Sequence, residues 1–289
     1  MRGVCFLLVL LFSPMARADD AKPEEKKKEE KTDREGTFKS CTEGEDTKVA
    51  ARLATGCSMI GLRFVFTGLD VPARGITAGV AFHTQGEDFD RWNILSVHAT
   101  HRTTLGGGGS GFEGELSGSV TVGVRAPLAK HHGPFVRGGV SGHVLGNDLF
   151  YGSLIEFPRG EVGYQFMSGI TVVEAGMTFG YAIDGRYGQR NLVPLPYSPL
   201  SPTSGFAWGG YVALQAPHMQ LGVSLEGVPM SEGASGTIMN GLASACAYGY
   251  IFALCFDVRI LSQDGLGPFG NSIRSTYWGG VTLGFTGKK

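Results

Sequence analysis

Long apolar runs are what this chain of 289 residues has least of. After residue 18, no window of 18 consecutive apolar residues occurs, which excludes a bundle of membrane-spanning helices. A β-barrel is not excluded, because each strand crosses with about 10 residues of alternating character. Charge of one sign is also missing. The formal net charge is −1, and the balance survives when the first 36 residues are set aside. A basic surface for nucleic acid is therefore not expected. Cysteine is sparse, with five residues in all. No phosphate loop is present: Gly106–Gly109 and Ser110 lead into a strand pattern rather than a helix. His98-x-x-His101 has a helical metal spacing, but on an alternating segment the two rings point to opposite faces. No metal and no cofactor is expected.

The N-terminal residues divide into short functional pieces. Arg2, the apolar run Val4–Phe12 and Ala16-Arg17-Ala18 have the layout of a secretory signal cleaved after Ala18. Nine apolar residues are about half of the roughly 20 that a spanning helix needs. Asp19–Gly36 holds 14 charged residues among 18 and nothing apolar larger than alanine. It cannot offset the entropy of ordering by burial and reads as a disordered charged linker over 19–36. In 37–58, Thr47–Ala54 could form a short helix. Cys41 and Cys57 bracket it, and in an oxidising compartment a disulfide between them would contribute about 3 kcal/mol. The main domain is 59–289.

That domain is rich in glycine, 46 residues in the chain, and in alternation. Gly111–Ala126 is the clearest stretch. Its even positions, Phe112 to Ala126, are apolar or glycine. Six of its eight odd positions are polar or charged, including Glu113, Glu115 and Arg125. A period of two is a β-strand with one apolar and one wet face. At about 3.3 Å per residue it spans roughly 50 Å. The same alternation recurs from Leu62 and Phe64 through to Val281, Leu283 and Phe285. Leu149–Phe157 and Glu161–Met167 read as separate strands divided at Pro158-Arg159-Gly160. This division brings the candidate strands to 13. A closed barrel with both ends on one side needs an even number, so about 12 are expected, with 10 as the alternative.

Connections sort by length. Tight turns at 146–148, 167–169 and 216–218 are assigned to one side, and long connections at 185–204, 227–236 and 263–273 to the other. The loop of Lys130, His131 and His132 is assigned to the long-loop, external side. Short inner turns and longer outer loops are the habit of membrane barrels.

The last strand, Gly280-Val281-Thr282-Leu283-Gly284-Phe285, resembles the C-terminal assembly signal of bacterial outer-membrane β-barrel proteins. Gly280, Leu283 and Phe285 are the residues that match. The tail Thr286–Lys289 departs from the pattern, in which the aromatic is often terminal. The resemblance implies an all-β, antiparallel up-and-down transmembrane barrel in the outer membrane of a Gram-negative bacterium. Its partners would be the lipid bilayer and the outer-membrane assembly machinery.

The wet faces carry Glu113, Glu115, Arg125, Arg137, Glu161, Glu174, Glu226, Asp257 and Arg259. If the apolar faces meet lipid, these charges line the lumen, as a pore wall or as an ion-paired plug. Ser96 with His98 and Ser141 with His143 share strand faces and could seed a lipase or esterase pair. Glu113 and Glu115 read as lumen carboxylates rather than glycosidase acids. Cys246 and Cys255 bracket AYGYIFAL, and a turn near Tyr250-Ile251 would bring them opposite each other as a disulfide. The expected function is a non-enzymatic, monomeric outer-membrane barrel, porin-like or structural. The alternatives are an outer-membrane lipase and a soluble secreted barrel that binds a hydrophobic ligand.

Overall fold

The computed structural model describes residues 53–54, 58–69, 75–90, 94–108, 111–126, 128, 132–147, 150–168, 171–189, 203–216, 218–229, 236–249, 251–267 and 270–286. The segments 1–18, 19–36 and most of 37–58, with Cys41 and Cys57, lie outside them. Every element among the described residues is a strand. They are β1 (Leu53–Ala54), β2 (Ser58–Leu69), β3 (Gly75–Asp90), β4 (Leu95–Gly108), β5 (Gly111–Arg125), β6 (His132–Gly146), β7 (Phe150–Ser168), β8 (Thr171–Gln189), β9 (Thr203–Ala216), β10 (Met219–Pro229), β11 (Gly236–Tyr248), β12 (Phe252–Gly267) and β13 (Gly270–Thr286).

Each strand from β2 to β13 pairs antiparallel with the next, and β13 pairs back onto β2. The result is a closed barrel of 12 strands with no free edge. β1 pairs with β3 at Leu53↔Asp90 and Ala54↔Phe89. Leu53–Ala54 is thus strand, not the end of a helix.

Four expectations change. Leu149–Phe157 and Glu161–Met167 are one 19-residue strand, β7. Pro158 does not end it. The ladder to β6 skips between Gly139 and Ser141, and the ladder to β8 skips between Glu156 and Arg159. A bulge there absorbs a residue that has no N–H to give. Merging these pieces removes the thirteenth candidate and moves the 146–148 turn to the opposite end from 167–169. The long connections also shrink, because β8 runs to Gln189, β10 to Pro229 and β12 to Gly267. The Lys130-His131-His132 segment joins β5 to β6. That connection lies at the end of the barrel holding Ser58 and Thr286, not at the long-loop end.

The outward face is apolar. Phe64, Val124 and Met177 are 66%, 59% and 68% exposed, whereas Arg137 and Glu161 are 2% and 0% exposed. This inverts the usual sidedness of a water-soluble barrel. The Phe252 and Phe285 rings touch at 5.3 Å between centroids at the terminus end.

The interior is layered. Near the terminus end, Met59, Tyr248, Ala253 and the Cys246–Cys255 disulfide pack together. Charged residues fill the middle. Toward the far end, the next inward position turns apolar on strand after strand: Val65 follows Arg63, Leu145 follows His143, and Val228 follows Glu226. Leu261 follows Arg259, while Leu154, Ile238 and Trp278 precede Glu156, Asn240 and Gly280. These residues are all buried and form two clusters, with Phe150 set edge-on to Trp278.

The closing seam between β2 and β13 depends on Gly280. A Cβ there would lie 2.1 Å from the Phe64 carbonyl oxygen and 3.1 Å from Cζ of Arg63, whose side chain crosses it. We expect Gly280→Ala to destabilise the barrel by about 1–3 kcal/mol, read as a lower urea midpoint in detergent. Gly138→Ala, whose Cβ meets nothing closer than 3.8 Å, should leave the midpoint unchanged. Equal midpoints for the two variants would contradict the seam argument.

Candidate functional site

Alternation along each strand turns one residue in two inward, and closure makes those positions face one another. The nine charges Glu113, Glu115, Arg125, Arg137, Glu161, Glu174, Glu226, Asp257 and Arg259 all point into the lumen. Eight of them are 4% exposed or less, and Glu226 is partly buried. Arg63, Glu87, Arg102, Glu156 and Arg159 join them.

One chain of opposite charges runs across the barrel. Arg63 of β2 forms a two-pronged pair with Asp257 of β12, with Nη2 donating to Oδ2 at 2.6 Å. Arg102 of β4 pairs with the same carboxylate and donates from Nε to Glu115 Oε2 at 2.9 Å. Arg259 of β12 donates to the other Glu115 oxygen at 2.7 Å. Each carboxylate therefore sits between two guanidiniums. The planar fork of arginine suits this, because several fixed N–H groups can serve two acids at once.

A second group lies on β5 to β9. Arg137 pairs with Glu174, and its Nε lies 3.2 Å from Glu161 Oε2. Gln165 donates to Glu174 at 3.0 Å, and the Thr121 hydroxyl donates to Glu161 at 3.0 Å. The Tyr211 hydroxyl reaches the same two acids. Gly176 makes room for this, since a Cβ there would lie 2.8 Å from the Tyr211 ring. Arg159 links Glu161 to Glu156 and Glu226, with contacts of 3.2 Å to Glu161 and 2.7 Å to Glu156. His98 spans Glu87 at 3.0 Å and Glu161 at 3.6 Å. Glu87 in turn accepts from Gln220, whose oxygen accepts from Tyr248 at 2.8 Å.

Between these groups lies a cavity of about 190 Å³. Its wall carries small hydroxyls, among them Thr100, Ser119, Ser141, Ser224 and Ser244, together with Arg102, Arg159 and Arg259. Volume of this size and polarity is enough for several water molecules.

The serine–histidine pairs are not assembled for attack. Ser141 donates to Glu156 at 3.0 Å and accepts from Arg159 at 3.0 Å. His98 faces the two carboxylates. No group of three or more metal-capable side chains occurs among the described residues. Cys246 and Cys255 form the disulfide across the β11–β12 hairpin, where they are register partners, and the Gln85 amide lies 2.8 and 3.2 Å from the two sulfurs.

Glu156 and Arg159 were hidden by the β7 bulge. They are three residues apart, yet both point inward, because Phe157 and Pro158 both face out. Arg63 and Arg102 each occupy an inward position between outward neighbours, and that period was the signal for them.

No family model matches the chain, and no characterised relative matches its sequence. Solved structures similar to it include the outer membrane phospholipase A of Escherichia coli, at 11% identity over 84% of this chain and 95% of that one, with a TM-score of 0.36. The NanC porin is similar at 13% identity over 77% and 98%, with a TM-score of 0.36. OmpT, an outer membrane protein of Vibrio cholerae, is similar at 9% identity over 83% and 100%, with a TM-score of 0.34.

Removing one member of a buried charge chain strands its partners. Asp257→Ala leaves Arg63 and Arg102 facing each other and is expected to cost about 3–5 kcal/mol. The measurement is the urea midpoint of the detergent-folded protein. A midpoint equal to that of the unaltered protein would show that the chain contributes little.

Proposed function

We propose that this protein is an integral outer-membrane β-barrel, non-enzymatic and monomeric, with a structural role and a lumen closed by its own side chains. The observation that carries the reading is the inversion of sidedness. A closed 12-strand barrel shows large apolar side chains outside and fourteen charged residues inside, twelve of them joined in ion pairs. Apolar surface of this extent around a barrel is matched by hydrocarbon rather than water. Mid-depth charges on that face would cost about 2–4 kcal/mol each, and their inward placement avoids this.

In this reading, the signal over 1–18 directs export and is cleaved after Ala18. Both barrel termini face the periplasm. Gly280, Leu283 and Phe285 are read by the assembly machinery during insertion.

Three other readings fit less well. A lipase needs a free serine beside a histidine, and the Ser141 hydroxyl is bonded to Glu156 and Arg159. A soluble barrel holding a hydrophobic ligand needs an apolar lumen, and this one is charged across its middle. An open pore is disfavoured by the charge chain from β12 to β4 and β5, which crosses the space solute would use.

Cell fractionation tests the reading. The protein should sediment with outer membranes, and unboiled, detergent-extracted protein should migrate differently from boiled protein. Recovery in the soluble periplasm with no heat-dependent shift would overturn it.

A further inference from the structure

We propose that the central lumen cavity is a binding site for one small, neutral, polyhydroxylated molecule, about the size of a single sugar ring. The proposal goes beyond the structural role above. It needs no passage through the barrel, because the molecule rests beside the charge chain and does not cross it.

The hollow is built by the choice of inward residues. On β10 the inward positions run Gln220, Gly222, Ser224 and Glu226, so the two small residues lie between two long ones. Register sets Gly222 beside Ser244 of β11, and a Cβ on Gly222 would lie 3.2 Å from the Ser244 hydroxyl oxygen. Across the barrel, Ser117 of β5 is the register partner of His143 on β6. The cavity between these walls is about 190 Å³. It has room for a few waters or one ring-sized molecule, and not for an oligomer.

The wall has hydrogen-bonding capacity that the barrel leaves unused. His143 lines the cavity and is 7% exposed, yet its ring makes no hydrogen bond or ion pair with the other described residues. The hydroxyls of Ser224 and Ser244 line it too and have no hydrogen-bond partner among the described residues. Asn240 uses its oxygen to accept from Arg259 at 3.4 Å, and Nε of Arg259 is buried without a partner. A buried polar group without a partner is costly, and a ligand that supplies the partner removes that cost.

The chemistry of the unused groups selects the ligand. The charged groups of this wall already face opposite charges: Glu226 pairs with Arg159, and Arg259 pairs with Glu115 at 2.7 Å. An ionic ligand would have to break such a pair. The groups left over are hydroxyls, an amide and an imidazole. Neutral imidazole takes a hydrogen bond at one nitrogen and gives one at the other, and a serine hydroxyl does both at one atom. Ligand hydroxyls also give and take, so they match this wall. A hydrophobic ligand would leave every one of these groups unpaired.

The detergent-folded protein is dialysed to equilibrium against radiolabelled glucose, galactose, mannose or myo-inositol. Each probe is present from the refolding step onward, so that slow entry does not limit binding. At least one of the four should bind saturably at one equivalent per barrel, and sodium sulfate or sodium phosphate should not displace it. Ser224→Val with Ser244→Val replaces both hydroxyls by methyl groups. This variant should keep a cooperative urea transition and bind about tenfold more weakly. Leu225→Val, on the outward face beside Ser224, should bind as the unaltered protein does. If the serine variant does not fold, His143→Phe takes its place with the same expected loss. Absence of binding by all four probes would overturn the proposal. So would displacement by sulfate or phosphate, or undiminished binding by the folded cavity variant.

Discussion

The structure depends on one constraint, the closure of the backbone hydrogen-bond ladder. A sheet set in hydrocarbon cannot leave a row of N–H and C=O groups unpaired, since each would cost several kcal/mol. The β13–β2 seam, running from Thr276↔Leu69 to Thr286↔Met59, removes the last edge. Gly280 sits in that seam with no space for a Cβ, and Arg63 uses the gap to reach Asp257 two strands away. The C-terminal pattern and the first barrel strand are thereby joined twice, through the backbone ladder and through a buried ion pair.

Closure also dictates the interior. Twelve strands leave a lumen too wide for apolar side chains of ordinary size to fill alone, and the chain does not try to fill it that way throughout. Long arginine and glutamate side chains reach across the middle and are held by opposite charge. Desolvating such groups is expensive, and the arrangement works because each carboxylate is shared by two donors. Asp257 between Arg63 and Arg102 and Glu115 between Arg102 and Arg259 are the clearest instances. Above and below this layer the core reverts to side-chain packing, with Phe150 and Trp278 at one end and the disulfide with Tyr248 at the other. The barrel thus has a polar middle between two packed caps.

Alternation made the barrel class readable before any coordinates. Leu62, Phe64 and Phe66 against Arg63, Val65 and Thr67 already divide outside from inside, because side chains on a strand have a period of two whatever the strand pairs with. The strand count was obscured at a single place. Phe157-Pro158 breaks the period, and a broken period looks like a turn in sequence, while the ladders show it to be a bulge inside β7. That one misreading also misplaced the 146–148 turn and the β5–β6 connection, since each strand reverses the side of everything before it.

From its sequence alone, this protein's backbone class, its sidedness and the inward direction of most of its charges are determined, because all three follow from local periodicity. Tertiary structure alone decided which charges meet. Arg63 and Asp257 are 194 positions apart, and Glu115 and Arg259 are 144 apart. Their contact is set by the register of every ladder between them and by closure at β2 and β13, quantities to which no short stretch of sequence is sensitive. The same holds for the two apolar clusters toward the far end. Their members each look like an ordinary apolar residue on a wet face, and only the staggered alignment of the strands brings the members of each together.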